Sequence, residues 1–356
     1  MVTRLGRILF SCSYLVMAML SAGSAWAQDP AWEWHAVEGA KCRDGSEAGY
    51  YLRRSALDQR LVIFLEGGGA CFNGLTCGQN PANVGNQFPT KEGIFADRDD
   101  NPLRGSNFMY VPYCTGDIFG GTRENVAVSG VGGRQNFVGF RNMNLFLEKI
   151  QTDLPDLDLV VLSGVSAGGF GAIFNYPHVR ERFPEIPVVL IDDSGVPLED
   201  NYLQPCLQRT FRNLWGLNDA IPQDCPSCRA ENGGGLVELI RYTQDKYGDQ
   251  QQGVILSTQD SVLRFFFGFS LNNCRVLFPN MPANTYEAGI RSLKANYLQG
   301  SIKSFIVPGT THTFISSNRF YETKSDGQSI AQWVQDLVDQ KAKDKGPRRL
   351  RSLADQ

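Results

Sequence analysis

A chain of 356 residues, 42% hydrophobic and 20% charged, has the composition of a globular protein that buries a sizeable core in one large domain or two ordinary ones. A formal net charge of −3, with no basic stripe through the body of the chain, gives nucleic acid no electrostatic footprint, so no nucleic-acid partner is expected. The 37 glycines gather in short runs beside apolar stretches, which is the pattern of specialised turns and not of a flexible linker.

Residues 1–27 read as a signal peptide. Arg4 and Arg7 supply a positive start, Ile8 to Leu20 is mostly apolar, and Ala25-Trp26-Ala27 fits a small-x-small cleavage site. The apolar run falls short of the roughly 20 residues that a span needs, and no later segment is long and apolar enough. A secreted or periplasmic protein with no stable membrane anchor is therefore expected. Cys12 leaves with the signal; Cys42, Cys71, Cys77, Cys114, Cys206, Cys225, Cys228 and Cys274 remain. An even set in an oxidising compartment reads as disulfides, with Cys71 and Cys77 the most local pair and the other pairings open. Cys225-Pro226-Ser227-Cys228 has the spacing of half a zinc site, but no second C-x-x-C and no nearby histidine completes it, so no metal is expected.

Seven short runs rich in β-branched or aromatic residues are predicted strands: Gly49 to Arg53, Leu61 to Leu65, Phe108 to Pro112, Leu159 to Leu162, Val188 to Ile191, Val254 to Ser257 and Ser304 to Val307. Helical patterns cover Phe137 to Leu154, Ala167 to Arg182, Leu236 to Lys246, Asn284 to Ala295 and Gly327 to Lys341. The alternation of strand and helix predicts an α/β fold, a mostly parallel sheet flanked by helices. It occupies one domain over 28–340, with a basic tail over 341–356 that frays. Cys71 to Gly105 and Glu199 to Gly235 interrupt the alternation. Both are expected to be disulfide-tied loop insertions over the sheet edge where ligands bind in such folds.

The chemistry starts at Ser166. The run Leu159-Val160-Val161-Leu162-Ser163-Gly164-Val165-Ser166-Ala167-Gly168-Gly169 is an apolar strand entering G-x-S-x-G, followed by a helical pattern. That is the context of a nucleophile elbow, in which small residues permit a sharp turn and the serine sits at a helix N-terminus. A serine needs a base, and the chain has three histidines. His35 precedes the core strands. His178 lies about three turns along the helix after Ser166, by a rise of ~1.5 Å per residue. His312 follows the last predicted strand, where the base of an α/β-hydrolase belongs. The acid should lie between the two in sequence at the end of a late strand. Asp260, after Gly253 to Gln259, fits that order; Asp192 and Asp193 are its rivals one strand earlier. Leu61 to Leu65 runs into Glu66-Gly67-Gly68-Gly69-Ala70, a glycine loop whose free backbone N–H groups suit an oxyanion, with the Ala167 N–H as a further donor. No G-K-[ST] follows, which argues against a phosphate loop. Glu66 is expected to be a structural acceptor behind the loop.

Five blocks together resemble the pectin acetylesterase family, which includes the Notum carboxylesterases: Leu65 to Phe72, Tyr110 to Asp117, Gly164 to Gly169, Ser257 to Ser261 and the segment around His312. The resemblance implies an α/β-hydrolase-like fold and O-deacylation without a cofactor. It implies Ser166, Asp260 and His312 as the triad and Gly68, Gly69 and Ala167 as oxyanion donors. The substrate it implies is an acylated glycan such as pectin, or another small ester. Relatives active on lipidated protein carry bulky aromatics after the first two glycines, where this chain has Gly69-Ala70. On that departure a short acyl group, acetyl, is expected, although Phe265 to Phe269 is a candidate lining for either kind of pocket. The competing readings are a carboxylesterase for longer acyl groups and a non-catalytic glycan-binding protein that inherited the fold. The sequence carries no signal of oligomeric state.

Overall fold

Continuously apolar strands must be covered on both faces, and here they form the middle of a single sheet. The computed structural model describes residues 31–55, 58–276, 278–340, 343 and 345–347. The predicted signal peptide and most of the basic tail lie outside the described residues. The eight strands of the main sheet are β1 (Glu33–Lys41), β2 (Glu47–Arg53), β3 (Arg60–Leu65), β4 (Asn107–Val111), β5 (Leu159–Val165), β6 (Val188–Asp193), β7 (Gln252–Ser257) and β8 (Ile302–Val307). Their order across the sheet is β1-β2-β4-β3-β5-β6-β7-β8. The β1–β2 and β2–β4 pairs are antiparallel, and every pair from β4 to β8 is parallel. This is the mostly parallel α/β sheet that the strand–helix alternation predicts.

Two apolar clusters cover the sheet. On one face Ile63, Leu65, Leu162 and Leu190 pack with helices α1 (Gly139–Asp153) and α2 (Ala167–Arg182). On the other, Val62, Phe64, Val161 and Phe305 pack with Trp333 and Leu337 of a C-terminal helix (Ile330–Val338). Register aligns the functional ends: Leu65 pairs with Gly164, and Val165 with Asp193, so the glycine loop, Ser166 and the end of β6 emerge together at the C-terminal edge.

β1 was not predicted, and its burial explains why. Most of its residues are exposed or half-buried, and its register shifts between Ala36 and Lys41, so no apolar run marks it. A second departure is α3 (Pro205–Trp215), which forms inside the segment read as aperiodic insertion. Its buried face is Leu207, Gln208, Arg212 and Trp215. Two of those four are polar, which hides the helical period. Arg212 is held there by the carbonyls of Cys228, Gly233 and Gly234, and burial lowers its pKa to about 10. A third is α5 (Ser261–Gly268), which follows α4 (Glu238–Lys246) and β7 and starts directly after Asp260.

All eight described cysteines are paired: Cys42–Cys114, Cys71–Cys77, Cys206–Cys274 and Cys225–Cys228. The local Cys71–Cys77 pair is as expected, and Cys225-Pro226-Ser227-Cys228 closes on itself. Among the described residues no helix is long and apolar enough to cross a membrane.

Candidate active site

Ser166 caps α2 with φ 56° and ψ −119°, a backbone conformation that costs a non-glycine residue about 1–3 kcal/mol. The flanking glycines are what let the turn close. A Cβ on Gly164 would lie 2.2 Å from the Gly168 carbonyl oxygen, and one on Gly168 would lie 1.9 Å from that of Leu65. The turn is pinned by the Ser166 N–H, which donates to the Asp193 carbonyl at 2.8 Å. The half-buried serine therefore stands at the N-terminus of a 16-residue helix, where N–H groups without intrahelical partners favour developing negative charge.

The loop after β8 brings His312 to the same edge. His312 Nδ1 donates to Asp260 Oδ2 at 2.7 Å. The other carboxylate oxygen, Oδ1, accepts from the Val262 and Leu263 N–H groups at 2.9 Å each and so caps α5. Asp260 is fully buried, and the His312 side chain is 16% exposed. With Nδ1 committed to a carboxylate, Nε2 is the nitrogen left to exchange a proton. The Ser166 hydroxyl makes no hydrogen bond among the described residues; where a serine serves as nucleophile, its contact with the base is often loose before substrate binds.

The rival acids have other partners. Asp193 Oδ2 accepts from the Phe314 and Ile315 N–H groups at 2.6 and 2.8 Å, and its Oδ1 accepts from the Ser194 hydroxyl at 2.9 Å. It thus holds the loop that carries His312 and not the imidazole itself; burial raises its pKa to about 6. Asp192 is fully buried, with the Gly195 amide nearby but no well-formed hydrogen bond to either oxygen among the described residues. Burial, then its neighbour Asp193, pushes its carboxyl well above the usual range. The other histidines stand away from the elbow. His35 stacks on Tyr50 in the edge strands, and His178 is half-buried beside Phe140, its partial burial lowering its pKa to about 4.

Opposite the serine, the N–H groups of Gly67, Gly68, Gly69 and Ala70 donate to no acceptor among the described residues. A Cβ on Gly67 would sit 3.1 Å from Ser166 Cβ, which measures how closely this loop passes the serine. Glu66 lies behind it, accepting from the Tyr113 N–H at 3.0 Å and from the Tyr110 hydroxyl, and burial raises its carboxyl. A narrow pocket opens beside Ser166, Gly69 and Ala167. Its walls are apolar: Phe170 and Phe174 from α2, Leu207, Phe211 and Trp215 from α3, and Leu263, Phe266 and Phe267 from α5. The α3 wall was invisible in the sequence for the reason given above. The Phe266 ring takes the space over Gly69, with Cζ 3.1 Å from where a Gly69 Cβ would be.

A pectinacetylesterase family model matches residues 33–234. That stretch contains the glycine loop and Ser166; Asp260 and His312 lie beyond it. The palmitoleoyl-protein carboxylesterase notum2 of Xenopus laevis is 35% identical over 215 residues, 52% of this chain and 42% of that protein. The palmitoleoyl-protein carboxylesterase NOTUM of Homo sapiens is 29% identical over 173 residues, 43% of this chain and 34% of that protein. The matched stretch thus spans less than half the length of these relatives. The solved structure of the Wnt deacylase Notum from Drosophila aligns with a TM-score of 0.69 over 89% of this chain and 96% of that one at 19% identity, a likeness of fold. With the α/β-hydrolase architecture in common and more than half of its length matched, this chain belongs to the pectinacetylesterase family.

Proposed function

We propose that this protein is a serine carboxylic-ester hydrolase that removes O-acyl groups, with Ser166 as nucleophile, His312 as general base and Asp260 as the acid that orients it. The observation that carries the reading is the 2.7 Å bond from His312 Nδ1 to the buried Asp260, on the same sheet edge as a serine held at φ 56° on a strand–helix turn. In this reading Nε2 takes the Ser166 proton as the hydroxyl oxygen attacks the ester carbonyl. The N–H groups of Gly68, Gly69 and Ala167 stabilise the oxyanion. The alcohol departs with the proton from Nε2, and water, activated by the same nitrogen, releases the acid. No metal or organic cofactor enters any step.

The pocket supports an acyl group longer than acetyl. Its walls beside Ser166 are hydrocarbon, and each buried CH₂ adds about 0.8 kcal/mol. The absence of bulk at Gly69-Ala70 favours acetyl, but Phe266 supplies bulk there from another element. A palmitoleoyl-protein carboxylesterase among the relatives points the same way. The carrier of the ester is then an acylated protein or glycan outside the cell.

An activated phosphonate should label the wild-type protein and not Ser166→Ala, whose kcat should fall by about 10⁴–10⁶. Across p-nitrophenyl acetate, butyrate and octanoate, kcat/KM should rise with chain length. A fall across the series favours the acetylesterase reading, and no labelling with no hydrolysis favours the non-catalytic glycan-binding one.

A further inference from the structure

Asn80 is a buried polar residue, 6% exposed, just past the Cys71–Cys77 bridge. Its side-chain amide donates to the Gly68 carbonyl oxygen at 2.7 Å. Asn80 is itself held from behind. The guanidinium of Arg43, 4% exposed, donates to the Asn80 carbonyl at 2.7 Å, the Cys77 carbonyl at 3.2 Å and Gln135 Oε1 at 2.6 Å. A chain of buried contacts therefore ends on one peptide oxygen of the glycine loop.

That oxygen matters because of what lies across the peptide from it. A trans peptide carries C=O and N–H on opposite sides, so fixing the Gly68 oxygen fixes the direction of the Gly69 N–H. No acceptor holds the Gly69 N–H directly among the described residues. Both flanking residues lack a Cβ, and Gly69 already sits at φ +79°, so no side chain of their own restrains this peptide from turning over. Turned, it would aim a carbonyl oxygen where the oxyanion forms.

We propose that Asn80 is a positioning residue for the oxyanion hole, holding the Gly68–Gly69 peptide so that the Gly69 N–H is presented beside Ser166. The inference rests on the esterase reading of Ser166. It gives a polar group buried away from the triad a role that neither the motif nor the family blocks contain.

The test compares wild type with Asn80→Ala and the near-isosteric Asn80→Asp. Ala removes the donor; an ionised Asp keeps the shape but repels the Gly68 oxygen. For Asn80→Ala, kcat on a chromogenic ester should fall about 10–100-fold, somewhat less than the 10²–10³ for outright loss of a donor. KM should stay within about twofold, as expected for an interaction made in the transition state. Affinity for a trifluoromethyl ketone, which forms a hemiketal oxyanion on the serine, should fall by the same factor. Asn80→Asp should fall at least as far; if the buried Asp prevents folding, the neutral Asn80→Ala carries the same readouts. A crystal structure of Asn80→Ala should show the Gly68–Gly69 peptide turned over. An active wild type whose Asn80→Ala form keeps its rate, its ketone affinity and its peptide orientation overturns the inference. An inactive wild type whose Asn80→Ala peptide has turned overturns the esterase reading and leaves the hold on the peptide standing.

Discussion

At the scale of single residues, Asp260 serves two purposes with two oxygens. Oδ1 ends on the helix cap and Oδ2 on His312. An N-cap aspartate alone is an ordinary structural feature; the imidazole on its second oxygen is what makes it a candidate acid. Asp260→Asn should lower kcat about 10⁴-fold, by presenting an amide where Nδ1–H needs a carboxylate. Asp192→Asn should keep most of the activity, and it tests a second point. The Asp192 carboxyl is raised above the ordinary range of about 4, so the folded state keeps this proton to higher pH than the unfolded chain. Folding then binds the extra proton, and stability falls as pH rises above ~4 toward the raised value. Asp193 moves the same way, to about 6. Removing the Asp192 share should give Asp192→Asn a Tm advantage over wild type that grows from pH 4 to pH 8; parallel Tm curves would contradict it. The elbow serine and the last histidine were legible in the sequence because each sits in a local pattern. The roles of Asp193, a rival acid by position, and of Asn80 were not, because each acts on backbone groups of a different segment, Asp193 on one about 120 residues away.

At the scale of elements, the pocket is a contact between pieces that the chain order keeps apart. Helix α2 grows from the elbow, while α3 and α5 come from separate excursions over the sheet edge. Central strands and α2 could be read from apolar runs and period. The α3 wall could not, since α3 buries Gln208 and Arg212 among its apolar residues; in α5 the Phe265 to Phe269 run was legible as a lining, but not the helix, which follows Asp260 without a loop. What ties the two outer walls is covalent: Cys206 lies on α3, and Cys274 follows α5 by six residues. This bridge lets Leu207 and Phe211 face Phe266 and Phe267 at a fixed separation. Cys206→Ser with Cys274→Ser should therefore lower kcat/KM for octanoate more than for acetate, by several-fold in the ratio. The hydrocarbon contact is lost along the walls while the chemistry at Ser166 is untouched. Equal losses on both esters would place the bridge outside the acyl site.

At the scale of the whole molecule, the four bridges differ in what they constrain, and removing them one at a time makes the difference measurable. Eight paired cysteines support the proposed export to an oxidising compartment. Constraint of the unfolded chain grows with the loop closed. The separations of 72 and 68 residues for Cys42–Cys114 and Cys206–Cys274 correspond to about 4 kcal/mol each, and those of 6 and 3 for Cys71–Cys77 and Cys225–Cys228 to about 2. The two long loops are nearly equal in that respect, so the folded side decides between them. Cys42 and Cys114 are buried where the β1–β2 turn meets the segment after β4, and Cys42 is wholly enclosed. Cys274 is exposed and Cys206 half-buried. Unpairing the enclosed bridge also leaves two polar hydroxyls inside a packed core when serine replaces cysteine. Urea midpoints of the four double-serine variants should thus fall furthest for Cys42–Cys114, then Cys206–Cys274, then Cys71–Cys77, and least for Cys225–Cys228. Cys225 and Cys228 are as buried as Cys42 and Cys114, so if Cys225–Cys228 cost as much as Cys42–Cys114, loop size would not govern stability here, and the short bridge would have to be holding the α3 segment in place for the molecule as a whole.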